Sequence, residues 1–168
     1  MTRSHTFSSL CAGFLERLSA NIPGEEALDE GFEFETEGLG ARVEPGLPPS
    51  EDGGEGDFLI TISVIQLDLE DPTELAEPLA MLARLNHHSR RQHPWVAVID
   101  AAQQLSLCRR MPLPSPGVDD LERAISQGLE LGQSLRELWN AVRDSGGGQG
   151  AARSSEPPFF GLQPGLKA

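Results

Sequence analysis

The tract His87-His88-Ser89-Arg90-Arg91-Gln92-His93 carries the most obvious chemical potential in this chain of 168 residues. Three imidazoles so close together suggest a metal site. Adjacent histidines on a helix, however, point about 100° apart, and Arg90 and Arg91 would repel a cation. A solvated helix end is the simpler reading, and no metal is expected. The Gly-rich stretches at 53–56 and 146–150 lack the Lys-Ser/Thr that completes a phosphate loop. There is no G-x-S-x-G elbow, and neither Cys11 nor Cys108 stands in a nucleophile's usual context. Two free core thiols is the reading for that pair; a disulfide stays open, although nothing resembles a disulfide framework. The acidic residues between 25 and 57 lack the ligand spacing of an EF-hand loop. Neither an enzyme nor a cofactor is indicated, and the function left is binding.

Charge narrows the partners. The formal net charge is −13, and residues 25–57 hold twelve acids against the single base Arg42. Such a surface does not offset phosphate charge and does not dock on anionic lipid, so neither nucleic acid nor membrane is an expected partner. Arg84, Arg90, Arg91, Arg109 and Arg110 form a local positive counterweight, read as a patch for an acidic partner or as solvent-facing flanks. Arg3 followed by Phe7–Leu15 loosely imitates a signal peptide, but Ser8, Ser9 and Gly13 dilute it and Glu16-Arg17 interrupt it. A cytoplasmic protein is expected.

Periodicity supplies the elements. Phe7, Leu10, Cys11, Phe14, Leu15 and Leu18 recur at helical steps, ended by Asn21, Pro23 and Gly24. Phe32 and Phe34 alternate with Glu33 and Glu35, predicting a half-buried strand with an acidic outer face. Ala41–Glu44 suggests its partner across a turn near Gly38-Leu39-Gly40, and 45–57 reads as loop. Phe58–Leu69 is the strongest strand, and its apolar phase slips near Val64-Ile65, as a bulge would cause. Asp71-Pro72 opens a second helix, with Leu75, Leu79, Leu82 and Leu85 on its buried face and Pro78 early within it. Trp95–Asp100 and Leu105–Leu107 form a tight hairpin. The last helix runs from Val118 to Asp144, with Gly128 and Gly132 permitting close backbone approach. From Ser145 onward the composition predicts a disordered tail beyond a domain spanning 1–144. The class is α+β, in the order α-β-β-β-α-β-β-α, with helices on a twisted, mainly antiparallel sheet.

This ordered pattern resembles the class I chaperones of bacterial type III secretion, of the Tir-chaperone type. The resemblance rests on LAMLARLN (79–86), WVAVID (95–100), QQLSLCRRMPL (103–113) and a helix of the form LERAI-x9-LRELW (121–139). It covers about residues 5–143, and none of these motifs is catalytic. The resemblance implies a homodimer that binds the N-terminal segment of a secreted effector in extended form. Such a chaperone keeps that segment soluble and presents it to the secretion ATPase. By the same resemblance, Leu79, Leu82, Leu85, Trp95, Val96 and Val98 build the dimer interface. Leu10, Phe14, Phe32, Phe34, Val43 and Leu107 contact the effector. A regulatory module of the same fold, sequestering a transcriptional activator, is the alternative. Two features depart from the family pattern: the long acidic loop 45–57 and the tail 145–168 with its Phe159-Phe160 pair.

Overall fold

A computed structural model describes residues 2–18, 24–46, 56–69, 76–89, 94–113 and 117–146. Helix α1 (Thr2–Arg17) and a short helix α2 (Glu25–Asp29) precede strands β1 (Phe32–Thr36), β2 (Leu39–Pro45) and β3 (Asp57–Gln66). Helix α3 (Ala76–Ser89), strands β4 (Val96–Ile99) and β5 (Gln104–Pro112) and helix α4 (Val118–Gly146) follow. The five strands form one antiparallel sheet in the order β1-β2-β3-β5-β4. The expected α+β class and element order are observed, with α2 as an addition. The proposed N-cap Asp71-Pro72, Leu75, most of the acidic loop and the tail beyond 146 lie outside the described residues.

Alternation decides which face is buried. Phe58, Ile60, Ile62 and Val64 point inward, and Val43, Ala41, Leu107 and Met111 stand beside them in register. Helices α1 and α4 cover this face. From α1 come Phe7, Leu10, Cys11, Phe14 and Leu15; from α4 come Leu121, Ala124, Ile125 and Leu135. The ladder between β3 and β5 shifts register between Ser63 and Ile65, where the phase slip predicted a bulge. One extra residue there reverses the alternation, so Leu67 is buried although its number has the opposite parity to Val64.

The β1–β2 turn is Glu37-Gly38, one position before the expected site. Both residues have positive φ, 52° and 73°, as a two-residue turn of the right twist requires. Arg136 on α4 donates to the carbonyls of Glu37 and Gly38, each at 3.2 Å, which ties this hairpin to the helix. At the other end of β2, Gly46 N–H donates to the carbonyl of Asp57 at 2.9 Å, so both ends of the acidic loop are held at the sheet.

The two helix glycines let α4 lie close against the sheet. A Cβ on Gly128 would stand 2.5 Å from Cη2 of Trp95 and 2.9 Å from Cγ1 of Ile62. On Gly132 the nearest atoms are methyl groups of Ile62 and Leu39, both at 3.3 Å. Gly128→Ala is therefore expected to lower stability by about 1–3 kcal/mol despite the better helix propensity of alanine. Gly132→Ala should be near neutral, because an intrinsic gain of about 1 kcal/mol offsets a small displacement of two methyls. Thermal denaturation of the two variants checks the contrast.

Candidate protein-binding site

The sheet has two edges, and they differ. Strand β4 is covered at Ala97, on its outer edge, by one side chain of α3. Asn86 Nδ2 donates to the carbonyl of Ala97 at 2.8 Å, and Ala97 N–H donates to Asn86 Oδ1 at 2.8 Å. The side-chain amide makes the pair of bonds that a neighbouring strand would make. Asn86→Ala should lower stability by about 1–3 kcal/mol, since it strands both backbone groups of Ala97. Hydrogen exchange at the Ala97 amide should accelerate at least about tenfold, which reports the opened edge directly.

Strand β1 pairs with β2 on one side and with no other described strand. The Thr36–Leu39 pair flanks the two-residue turn and is hydrogen-bonded, so the backbone groups of Glu33 and Glu35 face outward. On one face of this open edge Phe32 and Phe34 lie half-buried against Phe14 of α1. Ring centroids are 5.4 Å apart for Phe14–Phe32 and 6.2 Å for Phe32–Phe34, both stacked. On the other face the side chains of Glu33 and Glu35 are exposed, as the alternation predicted.

The other residues expected to contact a partner sit deeper. Leu10, Phe14, Val43 and Leu107 are each 6% exposed or less, packed under α1 and α4. Apolar periodicity marks a face as covered without saying whether the same chain covers it. Here its own helices do, and Phe32 and Phe34 alone keep surface.

The residues assigned to a dimer interface divide in the same way. Leu79, Val96 and Val98 are exposed at 50%, 43% and 36%, and Leu85 is half-buried. Leu82 and Trp95 belong to the core, with Trp95 beneath Gly128. Helix α3 packs on β4, so the three exposed apolar side chains lie on two adjoining elements.

No thiol is poised for chemistry. Burial pushes Cys11 up to about 12, and burial also raises Cys108, whose Sγ lies 3.9 Å from Thr61 Oγ1. Both are free. Cys11 is in the helix-covered core, whereas Cys108 stands in register with Thr61 and Val96 on the opposite face of the sheet. Among the described residues no group of three His, Cys, Asp or Glu could hold a metal ion. His87 is exposed on α3, while the side chain of His88 and all of His93 lie outside the described residues. No helix among the described residues is long and apolar enough to cross a membrane.

No family model and no curated protein matches the chain by sequence. Solved structures do match its fold. The crystal structure of the ExsC–ExsE complex superposes with a TM-score of 0.65 at 15% identity, covering 82% of this chain and 96% of that one. The HopA1–SchA chaperone–effector complex gives 0.58 at 12% identity, covering 82% and 98%. The Yersinia pestis type III secretion chaperone SycH, solved with a fragment of YscM2, gives 0.54 at 12%, covering 77% and 98%. The chain has the fold of a class I type III secretion chaperone. Within that chaperone fold, α3 and the β4–β5 hairpin occupy one end of the sheet, and the open β1 edge occupies the other.

Proposed function

We propose that this protein is a cytoplasmic type III secretion chaperone. It works as a homodimer joined through α3 and β4, holds the N-terminal segment of a secreted effector in extended form, and presents it to the secretion ATPase. The observation that carries the reading is the open edge of β1, set on a chaperone fold. An extended segment adds there as a sixth strand through the outward backbone groups of Glu33 and Glu35. Its side chains then alternate between two surroundings. Apolar residues meet Phe32 and Phe34, each worth about 1.5–3 kcal/mol on full burial, and basic or polar residues meet Glu33 and Glu35. Leu79, Val96 and Val98 supply the apolar surface for a second copy.

Co-expression with the product of a neighbouring gene, followed by affinity purification and light scattering, tests the reading. The expected result is a stable complex of two chaperone chains with one effector N-terminal segment. A monomer that retains none of its neighbours' products would overturn it. Retention of a neighbouring regulator instead of an effector would point to sequestration of an activator.

A further inference from the structure

Arg109 and Arg110 are consecutive on β5 and so face opposite sides of the sheet. Arg110 pairs with Asp57 at 3.5 Å. Arg109 has no carboxylate partner among the described residues. Its Nη1 donates to Gln127 Oε1 at 3.2 Å, and its guanidinium carbon lies 6.0 Å from the centre of the Trp95 ring. Gln127 Oε1 also accepts from Trp95 Nε1 at 3.3 Å, so both partners of the guanidinium are themselves fixed. A half-buried cation is thus held in place by neutral groups. Burial pulls its pKa below the usual arginine value, which marks the missing counter-charge.

The guanidinium lines a pocket of about 450 Å³ between the end of β5 and the first turns of α4, with Pro94 and Met111 among its apolar walls. Asp120 and Arg123 also line it and pair with each other at 2.9 Å. The lining charge is therefore net +1 in a chain of net −13. The pocket also borders a length of β5 that pairs with β3 on one side and has no described neighbour on its β4 side. Strand β4 pairs with β5 from Leu105 to Cys108, whereas β5 continues to Pro112.

We infer that this pocket is a second recognition site, taking an Asp or Glu side chain of an extended partner segment, with Arg109 as its cation. The carboxylate receives the guanidinium's free N–H groups, and a neighbouring apolar residue of the segment rests on Met111 and Pro94. The site deepens the chaperone reading, because it gives the bound segment a fixed acidic position at the far side of the sheet from β1.

The test uses two short capped peptides on the full chain, Ac-VLELV-NH2 and its Gln counterpart Ac-VLQLV-NH2, titrated to millimolar concentration. The indole Nε1–H resonance of Trp95 reports occupancy, and a Trp139→Phe variant assigns it. The Glu peptide should shift that resonance and bind about tenfold tighter than the Gln peptide. Arg109→Gln should abolish the preference, with a thermal melt confirming that the variant is folded. Equal binding of the two peptides, no binding of either, or a preference that survives in Arg109→Gln would each overturn the assignment. The titration needs no effector and no dimer, so its outcome is separate from that of the co-purification.

Discussion

Leu82→Glu is expected to leave the chain largely unfolded, whereas Leu79→Glu, on the same helix, should leave it folded and monomeric. The difference lies in exposure: Leu82 is 4% exposed and Leu79 is 50% exposed. Truncating a buried leucine alone costs about 2–5 kcal/mol, and a carboxylate in its place adds a desolvation cost. Against a total stability of about 5–15 kcal/mol, that sum removes most of the folded population. At position 79 the new carboxylate sits in water in the monomer. In a symmetric pair it would be buried beside its own copy, where like charges and lost apolar contact act together. Circular dichroism follows the first variant and light scattering the second. A Leu79→Glu chain that stays dimeric would remove α3 from the interface.

Phe34→Glu is expected to weaken retention of an effector segment by about ten- to a hundredfold while the dimer persists. The lower figure corresponds to losing about 1.5 kcal/mol of aromatic burial against the partner strand. The higher one adds a third carboxylate to an edge that already carries Glu33 and Glu35. Phe34 also lies 6.1 Å from Phe14, ring centre to ring centre, so the variant loses some stability of its own. A thermal melt must accompany the binding measurement. Unchanged retention in a folded variant would take the partner strand away from β1.

The two faces of the β1 strand were readable from alternation because Phe32-Glu33-Phe34-Glu35 encodes them residue by residue. The bulge was readable as well, since a strand that changes apolar parity must gain or lose a residue. Gly128 and Gly132 announced close contact because nothing else justifies two glycines in a helix interior. Other features had no local signature. Helix α2 is five residues long, too short to complete a periodic pattern, although its Leu28 is fully buried. Strand β5 extends to Pro112 because its ladder with β3 continues to Asp57, and two successive arginines hide the alternation. The buried state of Leu10, Phe14, Val43 and Leu107 depends on how α1 and α4 lie over the sheet. Asn86 closes the LAMLARLN motif, but its role at Ala97 exists only once α3 has docked beside β4.

That single amide has a consequence for how the molecule meets its own kind at high concentration. A sheet with two receptive edges behaves as a bifunctional monomer, able to join on both sides and lengthen without limit. Here the Asn86 amide ends the ladder at β4, because a side chain one residue long carries no further edge to offer. On the β4 side a strand cannot add at Ala97 without displacing that amide, which acts like a chain terminator in a polymerisation. A protein that keeps the β1 strand exposed for others thereby guards the opposite side of its sheet against fibre growth.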